Sequence, residues 1–225
     1  MKVLAFSGGC FSGKTTAINA LKHWFTIRGI EVHTGDELVR KNINAINIDM
    51  LRGNANKYFQ FELNVIKAKI EYEQLLHKKY SDDCIILLDR ALTDSLMYYT
   101  LYVDVNKLSD INLDIYKEFR EKLSNAIHFS FTNIYTHIIE FSPLNALCYK
   151  AEDIKFRPTR IDTLKYIEHN TVQELNEAYY SRVQHSTYNT TKLKYIRTGI
   201  NINNSNGINA WLSKFLYNNE DLKTL

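Results

Sequence analysis

The stretch that decides the fold opens the chain: Lys2-Val3-Leu4-Ala5-Phe6-Ser7, followed without a break by Gly8-Gly9-Cys10-Phe11-Ser12-Gly13-Lys14-Thr15-Thr16. The apolar run reads as a buried strand. The loop behind it satisfies G-x-x-x-x-G-K-[ST] at every position, with a strand before it and a helical pattern after it. Gly8 and Gly13 admit backbone angles that a Cβ obstructs, so successive N–H groups can turn inward around a phosphate. A helix starting near Gly13 aims the positive end of its dipole at the same anion. Lys14 adds a cation for the β- and γ-phosphates, and the Thr15 hydroxyl is placed to hold Mg²⁺. The bland alternative, a glycine-rich turn with a chance lysine, does not account for the strand-loop-helix context. The expected nucleotide-binding set is Gly8, Cys10, Phe11, Ser12, Gly13, Lys14, Thr15 and Thr16.

Working outward, apolar residues at helical spacing fill Thr15 to Arg28, and Gly29 stands where a C-cap belongs. Residues Ile30 to His33 read as a second strand, ending in Gly35-Asp36-Glu37-Leu38-Val39-Arg40. Ligands of open parallel sheets sit at the carboxyl ends of the strands, which places Asp36, Glu37 and Arg40 for chemistry; the plainer reading of either acid is a helix cap. Asn47 to Lys79 is mostly helical with a break at Gly53, and its stripe includes Phe59, which either packs in the core or stacks on a base. Cys84 to Leu88 is an unbroken apolar strand closed by Asp89-Arg90. A carboxylate there is the second metal-organising group beside a phosphate-binding loop, and an adjacent arginine clamps a phosphate.

Two helices follow, Leu92 to Val103 and Leu113 to Leu123, with Tyr98 as a possible wall of the acceptor site. Ile134 to Phe141 is a further strand. The polar, proline-interrupted segment at about 150–162 has the character of a lid, with Arg157 and Arg160 to cancel charge in the transition state. Thr163 to Arg182 reads as a long helix, Lys192 to Arg197 as the fifth strand and Gly207 to Tyr217 as a terminal helix. The β-α order implies a five-stranded parallel sheet with helices on both faces, as one domain over residues 1–225.

Composition agrees with that picture. With 45% hydrophobic and 24% charged residues the chain is ordinary for a globular protein. A net charge of +3 gives no case for nucleic acid or a membrane surface as partner. Three dispersed cysteines suit reduced thiols, no run reaches the roughly 18 apolar residues of a membrane span, and no signal peptide is visible, so a cytoplasmic location is expected.

The conjunction of GGCFSGKTT, GDELVR, LLDRALTDSLMYY and FRPTRID resembles the P-loop nucleoside and nucleotide kinases over roughly residues 2 to 200. Asp89, Arg90, Asp94 and Tyr98, with Arg160-Ile161-Asp162, look like the thymidylate kinase pattern. Glu37 and Arg40, with the Asp89–Tyr98 stretch, look like the kinase-like ATPase family related to the ribosylnicotinamide kinase domain. Ala91 stands where thymidylate kinases carry an aromatic residue, and their arginine in the helix before the third strand is missing, with Lys67 or Lys69 as substitutes. The resemblance implies a P-loop kinase fold and ATP with Mg²⁺ held by Thr15 and Asp89. Its catalytic groups would be Lys14, Asp36, Glu37, Asp89, Arg90, Arg157 and Arg160, and its acceptor site Glu37, Arg40, Phe59, Arg90 and Tyr98. The acceptor expected is a nucleoside monophosphate, dTMP or dUMP. The alternatives are a nucleoside or ribosylnicotinamide kinase and a nucleotide-dependent switch or ATPase; a nucleic-acid end kinase fits the charge least. Pairing of two copies through helices, as in thymidylate kinases, is a further expectation.

Overall fold

The computed structural model describes residues 1–9, 12–35, 53–141, 162–185, 193–200 and 206–223. Five strands, β1 (Lys2–Ser7), β2 (Val32–Gly35), β3 (Ile85–Asp89), β4 (His137–Phe141) and β5 (Lys194–Thr198), form one sheet in the order β2-β3-β1-β4-β5. Every pairing is parallel, with Leu4 opposite Leu87 on one side of β1 and His137 on the other. The chain moves outward from β1 to β2 and β3, then returns past β1 to β4 and β5. That reversal puts the carboxyl ends of β1, β3 and β4 side by side, where α/β sheets bind ligands.

Alternation along β1 explains the layers. Val3 and Ala5 join Ile86, Leu88 and Ile138 in a core shared with α2 (Ala55–Gln74), α4 (Leu92–Tyr102), α5 (Asp110–Asn133) and α6 (Asp162–Gln184). Leu4 and Phe6 face the other way, onto Leu21 and Phe25 of α1 (Lys14–Thr26) and Trp211 and Phe215 of α7 (Gly207–Asn218). Both faces are covered, which is why the central strands read as continuous apolar runs. Each fully buried Leu, Ile or Phe contributes roughly 1.5–3 kcal/mol, more than a typical hydrogen bond at about 1 kcal/mol, so the apolar layers set the architecture.

The boundaries differ from the sequence expectations in instructive places. β2 begins at Val32 rather than Ile30, whose side chain packs instead against the α1 layer. α2 stops at Gln74, a short helix α3 (Leu76–Lys79) continues past it, and Leu75 between them is 50% exposed, outside the stripe. α5 runs to Asn133, well beyond Leu123, because Phe119, Leu123, Ile127 and Phe131 continue one buried stripe at four-residue spacing. Among the described residues no helix is long and apolar enough to cross a membrane.

Candidate active site

The phosphate loop joins β1 to α1. Gly8 has φ 137° and lies so close to β4 that a Cβ would meet Phe141 O at 3.0 Å; Gly13 has φ 94° and caps α1 without a side chain. Both glycines answer to a backbone demand that other residues meet only under strain. Lys14 curls back over the loop, donating from Nζ to Gly8 O at 2.8 Å, Gly9 O at 2.7 Å and Ser12 Oγ at 3.1 Å. The first turn of α1 holds no acidic residue, so its N–H groups and Lys14 present positive charge alone.

Behind the loop stands a buried polar frame. Asp94 of α4 accepts from Ser7 Oγ at 2.7 Å, Gly8 N at 3.0 Å and Ala91 N at 3.1 Å. Asn176 of α6 donates to Ser7 Oγ at 2.9 Å and to Glu140 Oε2 at 3.0 Å, and accepts from Thr93 Oγ1 at 2.6 Å. Asp94 and Asn176 have no solvent exposure. Burial pushes the Asp94 carboxyl above its usual range, against the pull of Lys14 and Arg90. The frame ties the ends of β1 and β4 to α4 and α6, and so fixes where the loop starts.

On the neighbouring strand, Thr15 Oγ1 donates to Asp89 Oδ2 at 3.2 Å. Two hard oxygen donors in contact beside a phosphate loop fit Mg²⁺, which takes few protein ligands and keeps most of its waters. Arg90 follows with φ 84°, the one non-glycine residue with positive φ among those described, a conformation that costs roughly 1–3 kcal/mol. Its guanidinium lies 4.8 Å over the Tyr98 ring. Tyr98 stacks on Tyr102, and both hydroxyls donate to Glu168 of α6. Tyr58 of α2 packs edge-on to Tyr102 and donates to Glu62 Oε1 at 2.6 Å. Glu62 and Glu168 are both buried. A continuous row therefore leads from the Thr15–Asp89 pair through Arg90 to three tyrosines and two carboxylates.

The structure thus brings Gly8, Ser12, Gly13, Lys14, Thr15, Asp89, Arg90 and Tyr98 to one end of the sheet. Phe59 goes elsewhere: it is fully buried, packed on Tyr99 and Tyr116 in the core under α2, because its side of the helix faces α4 and α5. Cys10, Phe11, Asp36, Glu37, Arg40, Arg157, Arg160 and the expected lid as far as residue 161 fall outside the described residues, and Asp162, its last residue, opens α6. Sequence reasoning missed the site's buried polar groups, Glu62, Glu168 and Asn176, along with Glu73 of α2; Lys69, named beside Lys67 as a substitute for the missing arginine, is buried one helical turn from Glu73. Spacing carried a signal for part of this set, since Tyr58, Glu62, Lys69 and Glu73 recur at intervals of four, seven and four on one helical face.

No protein-family model matches the chain, and no curated protein matches it by sequence. Among solved structures it is similar to the deoxyadenosine kinase from M. mycoides with bound dATP, at 17% identity and a TM-score of 0.53, over 96% of this chain and 99% of that one. The likeness shows the fold: an α/β P-loop kinase fold with an all-parallel five-stranded sheet.

Proposed function

We propose that the chain transfers the γ-phosphoryl group of ATP to a nucleoside-class acceptor, and that the receiving group is a sugar hydroxyl. The observation that carries this reading is the row running from Thr15 and Asp89 through Arg90 to Tyr98, Tyr102 and Glu168. Nucleoside hydroxyls are neutral donors and acceptors, which carboxylates and phenols recognise well. A phosphate dianion beside buried Glu62 and Glu168 would meet like charge in a poorly hydrated setting. The likeness to a protein described as a deoxyadenosine kinase supports the same class.

In this reading Gly8 to Thr16 cradle the triphosphate and Lys14 leaves the loop carbonyls for the β- and γ-phosphates. Thr15 and Asp89 hold Mg²⁺, whose contribution when bound is to neutralise charge on the phosphate oxygens. Asp36 or Glu37, the residues that follow Gly35, accept the proton of the attacking hydroxyl. Arg90 donates to the acceptor and to the group in flight, and Arg157 and Arg160 close over that group.

A second reading, a dTMP or dUMP kinase, is favoured by the Asp89-Arg90, Asp94, Tyr98 pattern and by Arg90 as a clamp for an acceptor phosphate. An assay of ADP release across nucleosides, nucleoside monophosphates and nicotinamide riboside separates them. Turnover with nucleosides and none with monophosphates is the expected result. Preference for dTMP or dUMP replaces the first reading with the second, and ADP release without any acceptor points to a nucleotide-hydrolysing switch.

A further inference from the structure

We propose that Lys69, Glu73 and Tyr135 are positioning residues that hold the backbone from Arg90 to Leu92, and thereby aim the Arg90 guanidinium at the acceptor. The proposal rests on the phosphotransfer reading above. Arg90 occupies the left-handed region, which an L side chain does not hold by itself. Two successive peptide groups, 90–91 and 91–92, are held here by three side chains. Lys69 Nζ donates to Arg90 O, Asp94 Oδ2 accepts from Ala91 N at 3.1 Å, and Tyr135 OH accepts from Leu92 N at 3.1 Å. The Tyr135 hydroxyl in turn donates to Glu73, with its oxygens at 2.8 and 2.7 Å, and Ser130 Oγ donates to Glu73 Oε2 at 2.7 Å.

Glu73 lies one helical turn from Lys69 on α2, so each end of the grip feels the other's charge. Both side chains are buried, Lys69 at 9% exposure and Glu73 at 1%. Burial lowers the lysine's pKa and raises the glutamate's, each opposed chiefly by the other's charge. Burying such a pair stabilises a fold no better than apolar residues of the same volume, so its value lies in what it fixes. What it fixes is the turn between Asp89 and α4, from which Arg90 reaches over Tyr98.

Two measurements test the grip. Tyr135→Phe keeps the ring and removes the hydroxyl between Leu92 N–H and Glu73; it should raise the KM for the acceptor by about 10-fold while the KM for ATP stays within about 2-fold. A thermal-unfolding cycle pairs Lys69→Met with Arg90→Gly, because glycine takes a positive φ without help. Lys69→Met should lower Tm by roughly 10 °C in the Arg90 chain and by less than half of that in the Arg90→Gly chain. If Lys69→Met does not fold, Tyr135→Phe enters the same cycle. Additive Tm losses, or equal changes in both KM values, overturn the grip and leave an ordinary buried pair. Turnover by the wild type with additive losses keeps the kinase reading and sinks the grip; coupled losses without turnover of any acceptor do the reverse.

Discussion

The two ends of this sheet are built from different materials. At the carboxyl ends Ser7, Asp94, Asn176 and Glu140 are buried and bonded to one another across two strands and two helices. At the amino ends Lys2 and Lys194 both reach Asp221, in ion pairs whose side chains are 30–43% exposed. An exposed pair is worth about 0–1 kcal/mol, whereas each buried group left without its partner costs about 1–3 kcal/mol. The same strands thus carry loose charge pairing at one end and an interlocked frame at the other. The frame stands where Gly8 opens the glycine-rich loop, and positional rigidity is concentrated at that end.

The sharpest way to break this contrast is Lys14→Ala. It should cut phosphoryl transfer by about 10³-fold or more in the ADP-release assay while Tm moves by only a few degrees, roughly. Near-wild-type turnover would make the loop mere scaffold. Next comes Asp94→Asn, which sets an amide where three donors converge and should lower Tm by about 5–10 °C in thermal unfolding. Tm unchanged in that variant would show the frame to be no firmer than the opposite end.

A pH series sharpens the comparison, because each end holds one buried histidine. His137 on β4 and His169 on α6 are both depressed to about 4 from 6.5. Burial is the main cause in each, joined at His169 by Lys14 and Arg197 and resisted at His137 by Asp221. The unfolded chain binds a proton first, so stability is complete above about pH 6.5 and is lost as the pH falls toward 4, by at most about 3 kcal/mol per histidine. Denaturant midpoints from pH 7 to pH 4 should fall less steeply in His137→Gln and in His169→Gln than in the wild type; parallel curves would remove the burial argument. The smallest effect belongs to Asp221→Asn, which should lower Tm by less than about 4 °C. A loss larger than that of Asp94→Asn would invert the contrast.

Much of the scaffold was legible. β1, β3 and β4 are enclosed on both faces, so burial writes them as apolar runs, and the loop between β1 and α1 is spelled out residue by residue. β5, the edge strand Lys-Tyr-Ile-Arg-Thr, is only half-buried, and its limits were accordingly less sharp. The placement of Asp89, Arg90 and Tyr98 near the loop was legible. The proposed acceptor side was not. Glu62 and Glu168 carry no mark of burial in the sequence: Glu168 is met by Tyr98 and Tyr102 of another helix, and Glu62 by Tyr58 of its own. The strained Arg90 turn had no signature either, because glycine, the usual mark of positive φ, is absent there.

The strand order has a consequence for how the chain is made. β1 leaves the ribosome before both strands that flank it, yet it is the middle of the sheet, and its neighbours begin only at Ile85 and His137. Throughout that interval Val3 to Phe6 is a bare apolar ribbon with two open edges, the kind of segment that sticks to other chains. Warmer, faster expression should therefore yield inclusion bodies, and chaperones that cover short hydrophobic segments should have their principal client in the nucleotide-loop strand of this newborn chain.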